Sequence, residues 1–400
     1  MRNPWRGLGG LPREIWLLFT ANLVNRAGMM VLPMLLIYLT RELGFTPARA
    51  GFVFSAYGIT AIVIGPLAGR LADRVGPLPL MRASLLLSGT AILFYPLART
   101  FPAVIAITCV WAAVSELFRP ASLSAITGVV PPEQRKAAFA VHRLAINLGM
   151  SVGPALGGFL AAISFRYMFI VDGVTSIVAG IVLASAAWNP FESGDENAPS
   201  LIGAQRVLSP TFLVFLIGVV LSGIVFFQHE GAMPLFITKE LHLSPAFYGL
   251  LFTLNTLMIV AMEVPLNMAT SHWANRSTMV IAAMLFAVGF GALAFVSTPM
   301  GVIATVVVWT FGEMLLFPSM SAHMGDIVPP ERRGAYMGAY SMALSAAFAV
   351  GPWLGTAIFS RFGSSTVWVT MFFVGAASAV LLSVSTPRAN GALSESASGS

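Results

Sequence analysis

Twelve apolar runs, each near the ~20 residues that a helix needs to cross a hydrocarbon core, follow one another along this chain. They fall at 15–39, 50–69, 80–98, 103–125, 138–162, 167–188, 210–236, 247–270, 278–297, 300–323, 335–359 and 366–385. Short segments rich in Pro, Gly and Arg separate them. No water-soluble globule accommodates such a pattern: of 400 residues, 57% are hydrophobic and 10% charged, and mean hydropathy is +0.84. That leaves too little polar surface to face water. Lipid is the expected solvent, and the expected fold is an all-α membrane protein with twelve transmembrane helices.

The first run follows Arg2, Arg6 and Arg13 as the core of a secretory signal would, but it is too long for one and has no small-residue cleavage site, so it reads as an uncleaved first helix. With the N-terminus in the cytoplasm, fourteen basic residues lie at cytoplasmic helix ends (Arg2, Arg6, Arg13, Arg70, Arg74, Arg82, Arg135, Lys136, Arg143, Arg206, Arg276, Arg332, Arg333, Arg388). Six lie at the other face (Arg41, Arg49, Arg99, Arg166, Lys239, Arg361), and Arg26 and Arg119 sit inside spans. The bias predicts a multi-pass protein of the plasma (inner) membrane with both termini cytoplasmic. The basic residues form no stripe with interleaved aromatics, so nucleic acid is not an expected partner. A single cysteine, Cys109, permits no intramolecular disulfide and no thiolate metal cluster.

The sequence repeats itself. An offset of 198 carries Thr40, Glu42 and Leu43 onto Thr238, Glu240 and Leu241, Pro47 onto Pro245, Gly51 onto Gly249, Trp111 onto Trp309 and Pro120 onto Pro318. The same offset carries VVPPEQR (129–135) onto IVPPERR (327–333), and Gly153-Pro154 onto Gly351-Pro352. Shared hydropathy alone does not produce matched Pro-Pro-Glu-X-Arg loops. The reading is two parallel six-helix repeats, 1–188 and 210–388, related by a pseudo-two-fold axis along the membrane normal. The polar stretch 189–209 is the expected linker between them, and 389–400, rich in Ala, Gly and Ser, the expected disordered tail.

After the second span, Gly69-Arg70-Leu71-Ala72-Asp73-Arg74-Val75-Gly76 resembles the Gly-x-x-x-Asp-Arg-x-Gly signature of the major facilitator superfamily, although Pro77 and Leu78 replace the two basic residues expected next. Gly149-Met-Ser-Val-Gly153-Pro154-Ala-Leu-Gly157-Gly158 in the fifth span is similar to the Gly-x-x-x-Gly-Pro-x-x-Gly-Gly motif of that superfamily's twelve-helix drug:proton antiporters. Glycines four apart let two helix backbones approach, and the proline bends the helix. The resemblance implies an exporter, a monomer, a latch role for Asp73, a proton-coupling role for Arg119 in the fourth span, and a midplane cavity lined by helices 1, 4, 7 and 10.

Ionisable residues inside spans are costly and are functional candidates by default. Here they are Arg26, Glu116, Arg119, Asp172, Glu230 beside His229, Glu263 and Glu313. Proton coupling requires a carboxylate that holds its proton in one conformation and releases it in another. Glu116 with Arg119, or Glu263 or Glu313 facing Arg26 across a cavity, would suit, and the sequence does not choose among them. Asn22, Met30, Asn147, Phe227, Thr256 and Met262 are candidates for the cavity wall, with adaptable apolar surface and a few hydrogen-bonding groups. No phosphate-binding loop, His-Glu-x-x-His or paired-cysteine pattern occurs, so no enzyme activity, cofactor or metal is expected.

The expected function is alternating-access efflux of small amphipathic or lipophilic compounds in exchange for protons, with substrate, protons and the lipid bilayer as partners. Two rivals share the fold: a sugar or metabolite exporter or uniporter, and a non-transporting sensor or lipid-handling protein.

Overall fold

The computed structural model of the chain describes residues 10–185, 209–327 and 333–385, without the side chains of Asp73, Pro132, Glu133, Lys136 and positions 325–327 and 333–335. The expected linker (except Ser209), the tail, Arg2, Arg6, Arg206, Arg332, Arg388 and the side chain proposed as the Asp73 latch lie outside the described residues.

Twelve helices among these residues are long and apolar enough to cross a membrane. They are α1 (Arg13–Arg41), α2 (Pro47–Ala72), α3 (Pro77–Leu97), α4 (Phe101–Val129), α5 (Ala137–Ile163), α6 (Phe165–Ser185), α7 (Pro210–Glu240), α8 (Pro245–Ala269), α9 (Asn275–Phe295), α10 (Pro299–Met324), α11 (Tyr336–Phe362) and α12 (Ser364–Val384). Their starts are written locally. Thr46 and Ser244, matched by the repeat, accept hydrogen bonds from the Arg49 and Phe247 amides (3.4 and 3.1 Å), each with a proline at the first helical position. At the far end of α2, Gly76 takes φ +91°, which a residue with a Cβ rarely adopts.

α1 packs on α5 and α6, and α3 on α4 and α6; α9 packs on α10 and α12, and α7 on α11 and α12. The two halves meet mainly along two seams, α2 against α11 and α5 against α8. Call the end where α1 begins and α12 ends the base, and the other end the apex. At the apex the seams are tight. A Cβ on Gly51 or Gly58 of α2 would lie 2.9 Å from Trp353 Cα or 2.7 Å from Ala349 Cα of α11, while Gly65 and Gly69, further toward the base, have nothing within 4 Å. Ser55 donates to the Ala349 carbonyl, Thr253 to that of Ser151 and Arg41 to that of Thr238, all between halves.

The core divides in the same way. One large cluster runs from the apex of the first half, through Leu36, Phe54 and Phe169, into Phe215, Phe286 and Trp368 of the second. A separate cluster of Ile15, Leu18, Met81, Phe118 and Leu183 fills the base of the first half alone. The molecule is therefore closed at the apex and parted toward the base.

Candidate functional site

Proline places the irregular backbone. Its ring clashes with the carbonyl four residues back and offers that carbonyl no N–H. Four residues before Pro33, Pro120 and Pro234 lie Met29, Glu116 and Glu230, and there α1, α4 and α7 leave regular helix. α1 stops at Gly28 and resumes at Val31; α4 stops at Ser115 and resumes at Phe118; α7 passes through a tight turn at 227–229 before resuming at Ala232. The breaks in α1 and α7 coincide under the 198-residue offset, which carries Met29 onto Phe227.

Broken helices expose backbone groups that lipid cannot satisfy. In the first half Asp172 of α6 does so: its Oδ2 accepts from the Met30 and Val31 amides at 2.9 and 2.8 Å, a negative group on the N-terminus of the restarted helix. In the second half Gln228 acts instead, donating to the Ile224 and Gly351 carbonyls (3.0 and 2.8 Å) and accepting from the Ala232 amide (3.4 Å). α10 carries Pro318 where α4 carries Pro120, yet α10 stays helical; the Met314 carbonyl, four residues back, is held by Asn267 Nδ2 at 3.1 Å.

The α5 motif seats α1 at its break. A Cβ on Gly149 would meet the Arg26 and Ala27 backbone, one on Gly153 the Arg26 carbonyl (2.7 Å), and one on Gly157 Met30 (2.7 Å), whereas Gly158 faces Pro245 and Ala246 at the start of α8. Pro154 returns the contact, its carbonyl pressing on Gly249. Arg74, at the base, is exposed.

Between the halves, below the apex seams, lies a cavity of about 650 Å³. Its roof is aromatic: Tyr57 stands edge-on to Trp111 (5.3 Å) and Phe348 (5.8 Å), and Phe348 edge-on to Phe227 (5.0 Å). The first-half wall brings Asn25, Arg26, Met29, Ser84, Ser88, Ser115, Glu116, Arg119, Asp172 and Ser176; the second-half wall brings Phe227, Glu230, Tyr340, Ser341, Leu344 and Ser345. Helices 1, 4 and 7 line it as the resemblance implies, but α10 contributes only Ser321. α2 and α11 take its place, because they touch at the apex and diverge below it.

Tyr57 donates to Glu116 Oε1 at 3.5 Å. Among the described residues Arg26 reaches only a weak acceptor, Met29 Sδ at 3.0 Å, and its Nε is buried without a partner. Glu230 Oε2 is likewise buried and unpartnered. Its other oxygen lies 3.9 Å from His229 Nε2, beyond hydrogen-bond reach, while His229 Nδ1 sits 2.6 Å from the Phe226 carbonyl.

A family model described as "Major Facilitator Superfamily" matches residues 18–235 and 215–399. The chain belongs to the major facilitator superfamily. "Uncharacterized MFS-type transporter YttB" of Bacillus subtilis (strain 168) is 26% identical over 360 residues, covering 88% of this chain and 90% of that protein. "Quinolone resistance protein NorA" of Staphylococcus aureus is 22% identical over 334 residues, covering 82% and 85%. Among solved structures, the nucleoside transporter NupG superposes with a TM-score of 0.77 at 13% identity, covering 94% of this chain and 99% of that one. The human organic anion transporter MFSD10 does so with 0.62 at 17%, covering 93% and 100%. The fold is thus that of a facilitator, a transporter of small molecules rather than an enzyme.

In this facilitator the remaining sequence candidates lie elsewhere. Glu263 and Glu313 do not face Arg26. Glu263 of α8 forms an ion pair with Arg143 of α5, and Glu313 of α10 accepts from Asn255 Nδ2 at 2.8 Å. Glu263 lines a lateral groove of about 800 Å³ between α5 and α8, together with Arg143, Asn147 and Asn267. Asn22 is buried against Leu18 and His142, Met30 beneath Gly157, and Thr256 in the packing of α8, so these three are not on the cavity wall. Met262 points outward at 40% exposure, off the cavity wall.

Sequence reading missed Tyr57, Tyr340 and the serine wall, which carry no charge to mark them, and it counted Arg143 among the cations at cytoplasmic helix ends. Arg143 is 62% exposed, and exposed ion pairs contribute about 0–1 kcal/mol. Arg143→Ala is therefore expected to leave the thermal unfolding midpoint in detergent almost unchanged; a large drop would show that this pair clamps the halves.

Proposed function

We propose that this facilitator exports small amphipathic, lipophilic compounds in exchange for protons, rocking its halves about the central cavity with the base toward the cytoplasm of the plasma membrane. The observation that carries the proposal is Glu230: a carboxylate on the cavity wall, at a helix break between the halves, with one oxygen unpartnered. A proton or a substrate cation can satisfy that oxygen, but not both together. Competition for one carboxylate makes exchange a matter of linkage, since each ligand favours the conformation in which the other has left. Glu116, bonded to Tyr57 and within electrostatic reach of Arg26 and Arg119, is a further carboxylate of the cavity beside Asp172.

The aromatic roof and a volume within the ~300–1,000 Å³ of drug-sized sites fit an apolar, flat cargo. The α5 motif and the likeness to NorA support export.

The test is efflux of a fluorescent lipophilic cation from proteoliposomes under an imposed pH gradient. The native chain is expected to drive efflux, and Glu230→Gln to abolish its dependence on the gradient while retaining exchange of cargo for cargo. Absence of efflux by the native chain would sink the proposal, and an undiminished gradient response in Glu230→Gln would remove Glu230 from coupling.

A further inference from the structure

Two buried charged groups of opposite sign face the central cavity from opposite halves, and neither is answered. Arg26, on the first-half wall, has an unpartnered Nε and a single thioether contact. Glu230, on the second-half wall, has an unpartnered Oε2. Among the described residues neither Arg26 nor Arg119 forms an ion pair, and Glu230 has none but the long approach to His229. That neighbour does not supply the missing donor. A carbonyl only accepts, so the proton of a neutral His229 ring sits on Nδ1, toward Phe226, leaving Nε2 a lone pair.

Neither carboxylate near Arg26 forms an ion pair with it among the described residues. Each commits one oxygen elsewhere: Asp172 Oδ2 to two backbone amides, and Glu116 Oε1 to Tyr57. Arg26 and Glu230 do not meet each other: the groups within electrostatic reach of Arg26 are Tyr57, Glu116, Arg119 and Asp172, whereas Tyr57 senses both Arg26 and Glu230. Tyr57, itself part of the aromatic roof, is thus within reach of both a cation and an anion.

We infer that the preferred cargo is amphoteric: an aromatic or otherwise flat apolar body bearing an anionic group for Arg26 and Arg119 and, several ångströms away, a cationic group for Glu230. This deepens the proposed export function and rests on it. The physical reason is desolvation. A cargo with only a cation fills the site and leaves Arg26 buried without a partner, and an unpaired buried charge costs more than a pair returns; one with only an anion leaves Glu230 to a proton and forgoes the charge-assisted bond there. A cargo with both groups answers both and enters with no net charge. Charge-assisted hydrogen bonds at each end are the strong kind.

The test uses three fluorescent probes on the full chain in nanodiscs. Nα-dansyl-lysine carries a carboxylate, an ε-ammonium and a naphthalene body; its methyl ester lacks the anion, and its Nε-acetyl derivative lacks the cation. The parent is expected to bind at least about tenfold more tightly than either derivative, which is about 1.4 kcal/mol. Arg26→Gln is expected to erase the difference between parent and ester while preserving that between parent and acetyl derivative, and Glu230→Gln the reverse. Arg26→Lys, which keeps the charge, is expected to restore part of the ester discrimination, which a merely misfolded Arg26→Gln would not explain. An ester or acetyl derivative that binds the native chain as tightly as the parent overturns the inference.

Efflux of the lipophilic cation, measured on the same preparation, separates the two readings. Cation efflux without preference for the amphoteric probe defeats the inference and leaves proton-coupled export standing. Tight and selective binding of the parent without gradient-driven efflux of either compound supports the amphoteric site and defeats the coupling.

Discussion

Asp172→Ala is expected to be the most destabilising single substitution in the transmembrane region. The Asp172 carboxylate satisfies two amides, those of Met30 and Val31, that the break in α1 sets free. Asp172 is 2% exposed, so both amides lose their acceptor at a buried site. At about 1–3 kcal/mol for each orphaned buried group, the loss is roughly 2–6 kcal/mol. The damage falls on the seat of α1 against α5 and α6, and so on the wall that carries Arg26. Asp172→Asn keeps an acceptor oxygen and is expected to cost less than half as much. Thermal unfolding of the detergent-solubilised protein, with ligand binding measured below the transition, checks both. An Asp172→Ala midpoint equal to that of the native chain would mean that the break is held by the α5 glycines alone.

Gly158→Leu is expected to abolish transport while sparing the fold of each half. Even a Cβ at Gly158 would lie 2.9 Å from Ala246 Cα, and the reciprocal contact of Gly249 with Ala155 Cα is 3.0 Å. Both contacts are with backbone, which has no flexible end to move aside. α5 and α8 belong to different halves, so the added volume wedges the apex seam and leaves intact the packing of α1, α3 and α6 on their own partners. Overpacking costs about 1–3 kcal/mol, and every ~1.4 kcal/mol shifts a conformational equilibrium tenfold. The apex-closed arrangement should therefore lose most of its population. Glu42 and Lys239 are exposed at the apex on opposite halves. Spin labels on cysteines at these positions, with Cys109 replaced by Ala, are expected to separate further in Gly158→Leu than in the native background, and efflux is expected to cease. Unchanged label distances together with normal efflux would show that the seam tolerates the side chain.

Much of the path to this site can be read from the chain. Twelve spans emerge because a hydrocarbon core demands ~20 apolar residues for each crossing, and the boundaries set by Thr46-Pro47 and Ser244-Pro245 lie within a few residues of those read from hydropathy. The breaks also had a signal, since Pro33, Pro120 and Pro234 each stand four residues beyond the irregularity they cause. Reading 103–125 as one unbroken helix passed over the one at Glu116.

Rotation of each helix about its axis had no such signal. In a water-soluble protein an apolar stripe shows which face points inward. In a bilayer both faces are apolar and helices associate through close packing rather than through hydrophobicity, so nothing along α8 or α10 distinguishes a cavity-facing glutamate from one turned elsewhere. Glu263 met Arg143 and Glu313 met Asn255 for this reason, and Met30 and Thr256 went into packing while Tyr57 and Tyr340 went to the wall.

The sequence by itself determined the solvent, the number of crossings, the two-fold repeat, the superfamily resemblance and the inventory of charges placed within the membrane, all of which depend on length, composition and local stereochemistry. Only the tertiary structure decided which of those charges share a cavity, because that depends on the approach of α1 to the glycines of α5 and on the divergence of α2 from α11, and such distances between helices are written in no single segment.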